Sequence, residues 1–267
     1  MNILMFLAAL AVITLGHFFR IRRWKSFISV YEDSNDSDLM FCTGIGYLVD
    51  SVLPFHVGDI ARAAIMGKKL KNGAAFSLAV IIIDRILDVF VVAFIFGTIF
   101  FASGKSLMNF IFFAGFSALL LLFLWLSVTF SKRFKKCVLV FSSIFNTKIQ
   151  LCILEFVWSF ICTIRNTVKK IDKAKLILRT FCMWSCYILS YLMYSKSLEN
   201  TSFVEVFNNM FSIDSYSPFV DYIRHGFSHY YFIFLLFNFL TCVSIIVVAF
   251  FQKFKNKSSE NKEELII

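Results

Sequence analysis

Five ionisable residues, Asp59, Arg62, Asp84, Arg85 and Asp88, stand inside or beside apolar sequence long enough to cross a bilayer. A charged side chain in hydrocarbon costs roughly 2.5–3.5 kcal/mol on insertion scales, so it is rarely kept without a partner and a use. Asp84 and Asp88 lie four residues apart, on one face of a helix, and Arg85 can reach Asp88 at a spacing of three. Counted from the start of their apolar run at residue 74, they sit roughly 15–21 Å deep at 1.5 Å per residue, close to a midplane. Two uses fit these residue types. The planar fork of Arg62 or Arg85 can bond two oxygens of a lipid phosphate at once, with Asp59, Asp84 and Asp88 orienting the arginines or taking up protons. Alternatively, the charges form a locked ion pair that fixes helix packing, and Asp59 caps a polar turn.

Asp59 and Arg62 follow a break in the chain. Residues 39–67 are mostly apolar yet carry Pro54 and Gly58 in the middle, and basic clusters flank them at Arg20–Lys25 and Lys68–Lys71. With both clusters on the same side, the segment enters and leaves a bilayer on one face. The expectation is a re-entrant helical hairpin with its tip at Leu53–Gly58, a broken backbone tolerated at depth only where it is buried in protein or lines a cavity. A half-helix beginning after Gly58 would turn its free N–H groups and dipole toward an anion. A looser echo occurs at Pro218, Asp221 and Arg224, within residues 200–228, and suggests a second hairpin from the opposite side.

The elements around these residues follow from composition. With 59% hydrophobic residues, 36 Phe and a mean hydropathy of +0.76, the chain is an integral membrane protein. Two Pro and 16% charged residues fit a helical bundle, not a barrel of alternating strands. Apolar runs at 2–19, 74–101, 107–130, 176–194 and 230–250 give five full spans. Residues 137–168, interrupted by Asn146, Lys148, Gln150, Glu155 and Arg165, read as an interfacial helix or shallow hairpin. The fold class is therefore an all-α, polytopic helical membrane protein: one membrane domain over 1–252 and a charged cytoplasmic tail over 253–267.

The net charge of +10 is gathered in short clusters beside apolar segments. That is the positive-inside pattern, with anionic headgroups as neighbours and no role for nucleic acid. It places the N-terminus outside and the C-terminus in the cytoplasm of a bacterial inner membrane. The seven Cys are scattered without a CxxC and read as small buried hydrophobes, and His225 and His229 are too few for a metal site. No metal, cofactor or nucleotide-binding loop is expected, so any movement of a substrate is downhill or ion-coupled.

The run of Leu53-Pro54, Gly58-Asp59, Arg62, Gly67-Lys68-Lys69-Leu70, then Asp84-Arg85 and Asp88, resembles the lysylphosphatidylglycerol synthase transmembrane-region family. That family is the flippase-like domain of multiple peptide resistance factors and of stand-alone proteins from surface-polysaccharide and hopanoid clusters. Asp84 stands where the family commonly has Glu, which keeps the charge. Ser217–Gly226 stands where the family often has a Pro-Gly-Gly-x-Gly-x-x-Glu-like segment. The resemblance implies translocation of an anionic phospholipid or polyprenyl-phosphate-linked sugar, with no chemistry on the substrate. Two other classes stay open. One is a non-transporting scaffold that works beside a glycosyltransferase or another envelope-synthesis subunit. The other is a CDP-alcohol phosphotransferase-like enzyme, which shares Gly58-x-x-Ala61-Arg62 and Asp84-x-x-x-Asp88 but lacks two of the four carboxylates needed to clamp two metals.

Overall fold

A computed structural model describes residues 2–53, 57–104, 107–129, 131–198, 202–211, 217–225 and 229–264. Among these residues every regular element is a helix. In chain order they are α1 (Ile3–Ile28), α2 (Asp36–Val52), α3 (Val57–Gly67), α4 (Gly73–Ser103), α5 (Leu107–Thr129), α6 (Ser131–Ser142), α7 (Thr147–Lys170), α8 (Lys173–Ser197), α9 (Phe203–Phe211), α10 (Pro218–Arg224) and α11 (His229–Glu264). Four carry a stretch long and apolar enough to cross a membrane, at Ile3–Ile28, Thr147–Thr167, Lys173–Ser197 and Tyr231–Phe254. The chain is an all-α polytopic membrane protein.

α1 and α8 form the most extensive helix pair. They run antiparallel, because the Asn2 N–H donates to the Ser197 carbonyl at 2.9 Å and the Ser190 hydroxyl donates to the Ala9 carbonyl at 2.8 Å. Gly16 lets the Tyr187 ring come this close, since a Cβ there would stand 2.7 Å from it. α11 lies parallel to α1, with Phe6 against Phe237 and Thr14 bonded to Ser244, and antiparallel to α2, with Phe41 against Phe250.

The hairpin expected over 39–67 is α2 and α3, separated at 53–56; Pro54 itself lies outside the described residues. Its two backbones touch. A Cβ on Gly58 would lie 1.9 Å from the Gly46 carbonyl oxygen, so only glycine permits this crossing. Ser51, near its tip, meets Cys242 at 3.8 Å, and Cys242 is the middle of the Tyr231–Phe254 stretch, so the hairpin turns back halfway along that neighbour. At its base, the Cβ position of Gly67 is 2.2 Å from the Ala74 Cα, which closes the turn into α4.

α4 and α5 are helical over the runs expected to span at 74–101 and 107–130, residue 130 lying outside the described residues, but of the five expected spans only 2–19, 176–194 and 230–250 coincide with the four span-length apolar stretches among the described residues. α7 differs from its expectation. Residues 137–168 resolve into two helices, and α7 is continuous for 24 residues, with the length and hydropathy of a span over 147–167. Lys148, Gln150, Glu155 and Arg165 lower the hydropathy profile without breaking the helix, and Asn146 stands at its N-cap. At the C-terminus, α11 runs unbroken to Glu264, through most of the charged tail.

Two apolar cores fill the bundle. One gathers Phe6, Ile13, Phe96, Tyr191, Phe207 and Phe237; the other gathers Ile21, Trp24, Leu39, Met66, Phe76 and Ile245. Along α4, Asp84, Arg85 and Asp88 fall between them; along α1, His17 and Arg20 do, and Arg23 lies at the edge of the second. The six cysteines described are free thiols.

Candidate functional site

The layer where the cores meet is built from one or two turns each of four helices. α1 contributes His17, Arg20 and Arg23; α2 contributes Tyr47 and Asp50; α3 contributes Gly58, Asp59 and Arg62; α4 contributes Asp84, Arg85 and Asp88. Their charges divide into two groups because successive residues on α4 point about 100° apart.

Asp84 and Asp88, one turn apart, face α1. Arg23 donates from Nε to Asp84 Oδ1 at 2.7 Å and from Nη2 to Asp88 Oδ1 at 2.8 Å. Arg20 Nη2 donates to Asp88 Oδ2 at 2.5 Å and to Asp84 Oδ2 at 3.4 Å. Arg23 and Asp84 side chains are 0% and 1% exposed. This quartet is a sealed clamp between α1 and α4. It is the ion-pair reading of Asp84 and Asp88, with different arginines: they hold Arg20 and Arg23, not Arg62 and Arg85.

Arg85 faces α3 instead, so the i,i+3 contact with Asp88 expected from spacing is replaced by one across the hairpin. Its fork closes on Asp59, with Nε to Oδ2 at 2.6 Å and Nη2 to Oδ1 at 2.8 Å. Arg62 donates to the same Oδ1 at 3.0 Å, and its guanidinium lies 4.9 Å from the centre of the Trp24 ring. Asp59 thus joins the two arginines expected to bind phosphate. Unlike the clamp, this pair is reachable, with the Arg85 side chain 28% exposed. The α3 N-terminus does face a negative charge, but an internal one: the Gly58 N–H donates to Asp50 Oδ1 at 2.8 Å.

Aromatic groups close the layer toward α8. His17 Nδ1 and the Tyr187 hydroxyl are 2.9 Å apart, and the Tyr47 ring packs between His17 at 4.7 Å and the Arg20 guanidinium at 5.7 Å. Several buried polar atoms here have no protein partner: Arg20 Nε, Arg23 Nη1, Arg62 Nε, Trp24 Nε1 and the Tyr47 hydroxyl. Four of these five are donors only, so the layer has more hydrogen to give than acceptors to receive it.

Over 200–228, where a second hairpin is expected, the described residues form α9 and the short α10, and 200–201, 212–216 and 226–228 lie outside the described residues. Pro218 opens α10, Asp221 is buried and Arg224 is exposed. The Ser217 hydroxyl donates to the Val52 carbonyl at 3.4 Å, so α10 does meet the tip of the first hairpin. The His225 ring stacks on Tyr231. Among the described residues, no group of three or more His, Cys, Asp or Glu is placed to hold a metal. Apolar clefts of about 370 and 220 Å³ lie on α6 and α7, beside Phe156 and Trp158, and share no residue with the charged layer.

With both ion groups and the hairpin in place, one comparison decides the family. The lysylphosphatidylglycerol synthase TM region profile matches residues 1–207. The chain belongs to that family. The match takes in α1 to α8, hence the sealed clamp, the hairpin and the Asp59-centred pair, and leaves α10 and α11 beyond it. No curated protein and no solved structure matches the chain.

Sequence reasoning missed Arg20 and Arg23. They sit in a basic cluster that ends an apolar run, where lysines and arginines normally mark the membrane edge. Half of the cluster does so: Arg22 and Lys25 reach outward to Asp36 at 3.0 and 2.8 Å. The signal was phase. Arg20 and Arg23 are three apart on the face that also carries the buried Ile13 and Phe27, whereas Arg22 and Lys25 share the opposite one.

Proposed function

We propose that this family member is a flippase-like domain that binds an anionic phospholipid or a polyprenyl-phosphate-linked substrate and lets its headgroup pass between leaflets. Arg85 is the phosphate contact, Arg62 the second cation, and Asp59 the carboxylate that positions both. The observation that carries this reading is the partly exposed Arg85 fork at mid-bundle depth, beside a hairpin that ends half-way along α11. A bidentate guanidinium in a low-dielectric site is suited to two phosphate oxygens. The surrounding surplus of donors favours an anionic, acceptor-rich guest over a cation.

The reading involves no chemistry on the substrate. Asp84 and Asp88, which a metal-dependent phosphotransferase would need free, each accept from two arginines. We place the protein in the bacterial inner membrane with the N-terminus outside, because Arg22, Lys25 and Lys69 gather at one end of the bundle with their acidic partners Asp36 and Asp38.

The test is translocation of a fluorescent phosphatidylglycerol in vesicles that contain the purified chain alone. The wild type should expose inner-leaflet label to an external quencher, and Arg85→Ala should not. Wild-type vesicles that stay tight to the quencher and expose no more label than protein-free ones would overturn the translocase reading in favour of the scaffold.

A further inference from the structure

Two positions at the hairpin that suit an anion, one on α3 and one on α4, already hold one of the protein's own carboxylates. The α3 N-terminus is filled by Asp50, and the Arg85 fork is filled by Asp59 in the same two-oxygen geometry that a phosphate would use. We propose that Asp59 is an internal stand-in for the ligand phosphate, so that ligand and Asp59 compete for Arg85 and ligand binding releases the hairpin. This rests on the reading of Arg85 as the phosphate contact and adds what binding does to the fold.

The mechanical part follows from what Asp59 joins. Arg85 belongs to a rigid unit, because its neighbours Asp84 and Asp88 are clamped to α1 by Arg20 and Arg23. Asp59 belongs to a second rigid unit, because α3 is seated on α2 through the Gly46–Gly58 backbone contact and the Asp50 bond. The polar ties between the units in this layer are the Arg85–Asp59 fork, the stacking of Arg62 on Trp24, and the packing of Tyr47 against Arg20 and His17. The fork alone among them pairs opposite charges, and a phosphate that takes Arg85 from Asp59 removes it. Arg62 keeps Asp59 satisfied after the exchange, because it already shares Oδ1, so the displaced carboxylate is not left uncompensated. A ligand shifts a conformational balance only by its differential affinity for the two states, and this exchange supplies that difference.

The experiment titrates the full chain in detergent with short-chain phosphatidylglycerol and, separately, with inorganic phosphate, in wild type, Asp59→Asn and Arg85→Gln. Hydrogen exchange across residues 57–67 is followed in the wild type with and without lipid. Competition predicts that Asp59→Asn, which keeps the shape but not the charge, tightens binding about tenfold, and that Arg85→Gln abolishes it. A gain with both probes makes the phosphate group sufficient, and a gain with lipid alone makes the chains part of the site; either supports the exchange. Lipid should also speed exchange in α3 of the wild type, a readout that survives if Asp59→Asn fails to fold. If binding depends on Arg85 but Asp59→Asn binds no tighter, or if lipid leaves α3 exchange unchanged or slower, Asp59 is a positioning group and the stand-in is wrong, while the lipid site stands. If wild type and Arg85→Gln bind both probes equally, the lipid site itself is wrong.

Discussion

Arg23 has no contact with solvent, and two buried carboxylates, Asp84 and Asp88, are bonded to it. Removing one member of a buried ion group strands the others, at about 3–5 kcal/mol. Arg23→Ala should therefore lower the melting temperature in detergent far more than Arg85→Ala, whose partner Asp59 keeps Arg62. Equal melting of the two variants would show that the sealed and reachable groups are not distinct. The same distinction explains what the sequence conveyed. Asp59, Arg62, Asp84, Arg85 and Asp88 stand out because each is costly in apolar sequence, and all five are in the layer. Which pairs with which was not legible, since pairing depends on how four helices are rotated about their axes. Spacing alone favoured Arg85 with Asp88, but adjacent residues on a helix diverge, and α3 offered Arg85 a better-placed carboxylate.

At the scale of the element, the hairpin depends on backbone contact more than on side chains. Gly58→Ala places a methyl group against the Gly46 carbonyl, which should force α2 and α3 apart at about 3 kcal/mol or more. Native-like melting of that variant would contradict the crossing. The hairpin base is held differently. Glu32, in the loop after α1, accepts from the Lys71 and Asn72 N–H groups and from the Asn72 amide. Burial pushes its carboxyl up, but these donors outweigh burial and hold it below the ordinary carboxylate range. A carboxylate depressed in the folded state stabilises above its unfolded pKa and loses that contribution as pH falls through the folded value. The melting-temperature gap between wild type and Glu32→Gln should thus be constant above about pH 5 and close on further acidification. A gap independent of pH would mean the loop does not hold α4. Pro54 and Gly58 made this hairpin readable, because two chain-breaking residues amid apolar sequence admit few alternatives. α7 was harder, since hydropathy averages over faces that the folded helix keeps apart.

For the whole molecule, α11 supplies what the matched region lacks. It lies outside residues 1–207 yet covers α2 along its length, with Ile246 against Gly44 and Cys242 against Ser51. A chain ended after Phe207 should extract as aggregate, whereas the full chain should run as a single species in size-exclusion chromatography; a monodisperse truncation would make α11 dispensable. The topology is open to the same direct approach. Leu4→Cys should react with an impermeant maleimide from outside intact cells, and Lys253→Cys only after lysis. Most of the architecture was legible because the bilayer restricts a chain this apolar to helices. The layer itself was not, because it assembles from turns as far apart in sequence as His17 and Tyr187.

The most direct test of the account is native mass spectrometry of the gently extracted protein, with wild type beside Arg62→Ala and Arg85→Ala. The account predicts that wild type retains a phosphate-bearing lipid and that both variants lose it. Retention of the same lipids by all three proteins would contradict it and leave the Asp59-centred pair as a structural brace.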